Sequence, residues 1–195
     1  MRKPVVIDLE TKKTFREAPN PQDLGISVAG LYDYATDALI VFEEFALPEM
    51  FQYLENASII VGFNIDQFDL PVLQPYYPGD ILRFKTFDIL KDVKRLLGYR
   101  LRLDDIVKAT LGEGKSGHGL EAIRLYNEGK LDELKSYCLD DVRLTKELFN
   151  FGVTQGKIHY PSRGADPEPK TVFVQWEQFM SYQGLSDSVN LSLPF

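Results

Sequence analysis

The chain has 195 residues, 44% of them hydrophobic, with 22 basic and 29 acidic side chains and a net charge of −7. That suits one domain with its own core and a small appendage, and the negative balance excludes a protein that coats nucleic acid by charge alone. No stretch approaches the roughly 20 apolar residues of a membrane helix, and one cysteine, Cys138, allows neither an intramolecular disulfide nor a cysteine zinc cluster.

In chain order, the apolar run before Asp8 is too short for a secretory signal and reads as a first buried strand over residues 4–9. A cytoplasmic address follows by default. A polar loop spans Lys12 to Asp23. Residues 25–34 and 39–45 are rich in β-branched and aromatic side chains around a turn, which predicts an antiparallel hairpin. Residues 48–55 predict a helix with Pro48 near its start. Ile59 to Asn64 reads as another short buried strand. From residue 66 the pattern turns helical, with helices expected at 88–97, 103–111, 120–127 and 131–151. The last is the clearest: Leu134, Tyr137, Cys138, Asp141, Leu144 and Leu148 recur at intervals of three and four. Lys157–Tyr160 and Thr171–Trp176 read as strands, and residues 186–195 show no period. Three early strands, a later one, then helices is the order of an α/β sheet with helices packed on it.

Three segments carry candidate chemistry. Asp8 and Glu10 are two apart in a strand, so both carboxylates project from one face. At about 4 Å and an effective dielectric near 20 their repulsion is on the order of 4 kcal/mol. A hard divalent cation relieves such a pair; an acid in solvent at the strand end is the plainer alternative. Asp69 lies just past the end of the strand at 59–64, where open α/β sheets place functional groups. Asp66 is a rival acid better suited to capping a helix. Tyr137 and Asp141 are one helical turn apart. Asp141 shares a face with Leu134, Leu144 and Leu148, so it points inward, where an acid needs a partner or a metal. Asp140 falls on the solvent side.

Together these segments resemble the DEDD exonucleases, most closely the proofreading domain of family B DNA polymerases and its stand-alone relatives. Asp8-Leu-Glu10-Thr11 matches the first motif. Asn64-x-x-x-Phe68-Asp69, with Gly62-Phe63 before it and Leu70-Pro71 after, matches the second. Tyr137-Cys138-x-x-Asp141 matches the third in its tyrosine form. The similarity covers roughly residues 3–152. It implies an α/β, RNase H-like mixed sheet with flanking helices over residues 1–152 and an extension at 153–195. It also implies 3′→5′ hydrolysis of single-stranded nucleic acid, DNA favoured over RNA, with two divalent cations, Mg²⁺ or Mn²⁺. By the resemblance Asp8 bridges both ions, Glu10 and Asp141 complete one site, Asp69 anchors the other, and Tyr137 orients the attacking water. Thr11, Phe63, Asn64, Phe68 and Lys115 are the expected substrate contacts, although Phe63 and Phe68 suit core packing equally well.

Three further features bear on this reading. Residues 83–102 hold seven basic and two acidic side chains, a local balance of 7 − 2 = +5, which suits either a phosphate-tracking patch or a solvated helix face. Ala109 to Ser116 fits a relaxed phosphate-binding loop. It follows a predicted helix rather than a strand, so an NTPase is rejected. Phe173, Trp176 and Phe179 in the tail offer a surface for a protein partner, or pack on the parent domain.

Overall fold

The computed structural model describes residues 2–114, 120–162 and 168–180. β1 (Val5–Thr11), β2 (Ile26–Asp33) and β3 (Ala38–Glu43) form an antiparallel meander. After α1 (Leu47–Asn56), the chain adds β4 (Ile60–Gly62) parallel to β1. A short helix α2 (Asp69–Leu73) precedes β5 (Thr86–Asp88), which is parallel to β4. The sheet order is β3-β2-β1-β4-β5, a mixed sheet with helices on both sides. α3 (Ile89–Leu97), α4 (Leu103–Leu111), α5 (Glu121–Asn127) and the 25-residue α6 (Leu131–Gln155) follow. A two-stranded sheet, β6 (Lys157–Tyr160) with β7 (Lys170–Phe173), and the short α7 (Glu177–Met180) end the described chain. Among the described residues no helix is long and apolar enough to cross a membrane.

The pleat of β1 divides the core. Val5, Ile7 and Leu9 pack with Leu47, Met50 and Leu54 of α1 and Leu70 and Leu73 of α2. Val6, on the opposite face, packs with Val93 of α3, Ile106 of α4 and Val142 and Leu148 of α6. A strand buried on both faces reads as a continuous apolar run, which is why residues 4–9 were legible without alternation.

Several expectations need correction. The sheet has a fifth strand, β5, that the sequence conceals: three residues are too few to show a period, and Asp88 doubles as the N-cap of α3. β4 stops at Gly62, two residues earlier than expected, because the chain breaks into a positive-φ turn at Asn64 (φ 70°). The second hairpin strand ends at Glu43, and residues 44–46 form a 3-10 turn. Asp66 caps no helix. α2 starts after Phe68 without a side-chain cap, and the Asp66 carboxylate accepts from Thr86 Oγ1 and Lys91 Nζ, both at 2.7 Å. The last predicted strand stops at Phe173, and Trp176 turns inward. It is 1% exposed, lies against Phe87 and Phe149, and donates to Asp92 Oδ2 at 2.9 Å. Phe179 stacks on Phe87, so of the three tail aromatics only Phe173 faces solvent. Gly152 makes this seat possible, since a Cβ there would overlap the indole of Trp176.

Candidate active site

The alternation that sends Ile7 and Leu9 into one core turns Asp8 and Glu10, with Val6, toward the helices on the other face. A register shift between Glu10 and Thr11 ends the alternation immediately beyond the pair. Helix α6 crosses that face and carries Asp141, which is 2% exposed. It comes close because β2 places Gly30 directly opposite Asp8. A Cβ on Gly30 would lie 2.7 Å from Val142 Cγ2 and 3.1 Å from Cys138 Sγ. With the helix seated there, Asp8, Glu10 and Asp141 each offer a carboxylate oxygen, and these oxygens lie within 4.8 Å of one another.

Asp69 lies beyond the end of the adjacent strand β4. It opens α2, is 2% exposed, and its Oδ1 is buried without a hydrogen-bond partner. Burial pushes its carboxyl up to about 8; hydrogen bonds from its own N–H and that of Leu9 oppose this, and the nearby charge of Asp88 adds to it. The Cys138 thiol is pushed well above its ordinary value by burial, and then by the charges of Asp8, Glu10, Asp141 and Asp69. Asp69 stands outside the group of three whose oxygens gather, though its charge adds the smallest of these contributions to the same thiol.

Such a group is unfavourable as it stands, because buried like charges repel and a buried carboxylate oxygen without a donor loses its solvation. An all-oxygen donor set suits hard divalent cations such as Mg²⁺ or Mn²⁺. The Cys138 thiol is buried and faces the carbonyl of Asp8, so the oxygens supply the donor set.

The segment joining β4 to α2 is held by Asp88, which sequence reasoning passed over as a helix residue. Its Oδ1 accepts from the backbone N–H of Asn64 at 2.9 Å and of Lys91 at 3.2 Å, and its Oδ2 from that of Asp66 at 3.2 Å. It is 6% exposed. One carboxylate thus caps α3 and fixes the turn that delivers Asp69. The signal was present as an Asp directly before an apolar helical start.

A cleft of about 470 Å³ opens beside the carboxylates, lined by Asp8, Asp141, Phe63, Asn64 and Leu90 and by Arg100 to Leu103 and Asp105. Of the predicted substrate contacts, Phe63 and Asn64 lie here. Phe68 packs at the edge of the α1–α2 core, its ring 5.9 Å from that of the half-exposed Phe15. Thr11 directs its hydroxyl to the carbonyl of Lys13 at 2.9 Å. Tyr137 is buried with Val28, Ala122, Leu125 and Leu134, one turn before Asp141 on α6. Asp140 lies half-exposed beside Arg143. Lys115 lies outside the described residues. α4 ends at Leu111 with Gly112 in the left-handed region, so the rejected phosphate-loop motif opens inside a helix rather than after a strand.

The basic stretch is largely neutralised. Arg83 pairs with Asp80, Lys91 with Asp66, Arg95 with Asp92, and Arg102 with Asp105.

Comparison with known proteins places this geometry in context. A family model described as the RNase H superfamily matches residues 6–151. DNA polymerase 1 of Aeropyrum pernix is 29% identical over 135 residues, which is 56% of this chain but only 14% of that protein. The family B DNA polymerase of the archaeon Pyrobaculum calidifontis shares the fold with a TM-score of 0.61 at 16% identity, over 78% of this chain and 25% of its own. The chain thus spans a small part of each polymerase.

Proposed function

Because the chain belongs to the RNase H superfamily, we propose that it is a metal-dependent 3′→5′ exonuclease of the tyrosine-type DEDD class, acting on single-stranded nucleic acid, DNA ahead of RNA. One observation carries this reading: oxygens of Asp8, Glu10 and Asp141 gather within 4.8 Å of one another. The order of the three motifs and the names of the polymerase relatives support it.

In this reading Asp8, Glu10 and Asp141 hold one cation, and Asp8 with Asp69 holds a second. Cations held there would supply the Lewis acidity that lowers the pKa of a water and offsets negative charge on the departing 3′ oxygen of the ester. Asp88 keeps Asp69 in register through the backbone of residues 64–66. Tyr137, one turn before Asp141, orients the attacking water with its hydroxyl. Phe63 stacks on a terminal base, a contact worth roughly 1–3 kcal/mol. Residues 1–152 form the nuclease domain, and the segment from 153 onward is an extension that braces it through Trp176.

The test is a ladder assay with 5′-labelled single-stranded DNA and RNA in Mg²⁺, Mn²⁺ or chelator. Stepwise shortening from the 3′ end is expected, lost with chelator and with Asp8→Ala or Asp141→Ala. A chain that binds both polymers and shortens neither would overturn the reading.

A further inference from the structure

Of the basic side chains in residues 83–102, four are held by carboxylates. Arg100 differs. Its Nη2 donates to Asn64 Oδ1 at 2.9 Å and its Nη1 to Gln67 Oε1 at 3.4 Å, both neutral amide oxygens. It stands on the short connection between α3 and α4 and lines the same cleft as Asp8 and Asp141. Its neighbour Arg102 lines the cleft too, but its guanidinium is forked onto Asp105 at 2.7 and 3.0 Å. An amide partner leaves the positive charge of a guanidinium uncompensated and is readily exchanged for a phosphate, which adds opposite charge and accepts two parallel N–H bonds.

We infer that Arg100 is a substrate-positioning residue that leaves Asn64 to clamp a backbone phosphate of the strand lying in the cleft. The inference rests on the exonuclease reading and adds which cation of the basic stretch touches the substrate. The geometry suits the task. The carboxylates in the cleft lining repel a polyanion, and Arg100 supplies positive charge in the same lining. Release of Asn64, whose backbone sits at φ 70° beside Phe63, couples strand entry to the turn that leads to Asp69.

The experiment uses the full chain. Binding of a 5′-labelled single-stranded oligonucleotide is measured across a salt series in an Asp141→Asn background, which keeps the strand intact. Turnover is measured in the wild-type background. Arg100→Ala is expected to weaken binding on the order of ten-fold and to flatten the plot of log affinity against log salt by about 0.7, the contribution of one single-strand phosphate. Arg100→Lys keeps the slope and recovers part of the affinity. Arg83→Ala, at an exposed pair remote from the cleft lining, changes neither. In turnover, loss of the clamp raises KM and leaves kcat within a few-fold, as expected when ground state and transition state are held alike. If the chain with Arg100 intact binds the strand but Arg100→Ala has the same slope, or lowers kcat and melting temperature at unchanged KM, the clamp is wrong and Arg100 merely braces the loop. If the chain with Arg100 intact neither binds nor shortens any strand, the exonuclease reading itself falls, and the clamp with it.

Discussion

The two faces of β1 make opposite use of one strand. Val5, Ile7 and Leu9 are buried among the apolar side chains of α1 and α2. Asp8 and Glu10, one residue out of phase, meet the acid of α6. The first face is satisfied by packing alone, whereas the second gathers carboxylate oxygens into a donor set that suits a hard cation. The comparison teaches that a period of two lets neighbouring residues answer to different demands, stability on one side and chemistry on the other, without a loop between them.

Substitutions on the two faces should therefore separate activity from folding. The largest effect is expected from Asp8→Ala or Asp141→Ala: nuclease turnover falls by roughly 10³-fold, the scale of removing a group that stabilises transition-state charge. In chelator the melting temperature does not fall, because the change relieves repulsion; a clear loss of stability there would break the comparison. Next, Ile7→Ala is expected to lower unfolding free energy by about 2–5 kcal/mol in denaturant titrations. Its turnover per folded molecule should stay near wild type.

A third expectation sharpens the second face. Mg²⁺ or Mn²⁺ at a hundred times its dissociation constant should stabilise the chain by about 2.7 kcal/mol, read as a rise in melting temperature that Asp8→Ala abolishes. The smallest effect belongs to the loop. Asp88→Ala is expected to cost about 1–2 kcal/mol as a lost cap and to lower kcat more than it raises KM, since it disturbs the delivery of Asp69 rather than strand binding. An unchanged kcat would confine Asp88 to its capping role.

Much of this was legible beforehand, for identifiable reasons. The long helix and its inward Asp141 were readable because 25 residues give many repeats of a 3.6 period. β1 was readable as an unbroken apolar run ending in acids. β5 was not, because three residues carry no period and its last one also starts a helix. Asp66 and Asp88 could not be ranked as caps from local spacing. The deciding contacts, to Thr86 and Lys91 for Asp66 and to the N–H groups of Asn64, Asp66 and Lys91 for Asp88, join segments 20 to 25 residues apart as well as local ones. The basic stretch misled for a related reason: its acid partners Asp66, Asp80 and Asp105 fall outside the window in which charge was counted.

Gly30 lies on a strand that supplies none of the four acids, yet the gap between Asp8 and Asp141 is governed by its missing methyl group. In the proposed function, the space left to an ion between those acids would depend on how closely Val142 and Cys138 of α6 seat against Gly30. Mg²⁺ binds oxygen at about 2.0–2.1 Å and Ca²⁺ at about 2.3–2.6 Å, a difference smaller than the displacement a methyl group would impose. If the acids hold cations as proposed, a single added carbon on β2 is expected to shift their preference between Mg²⁺ and Ca²⁺, read by comparing the two ions in thermal stabilisation of wild type and Gly30→Ala.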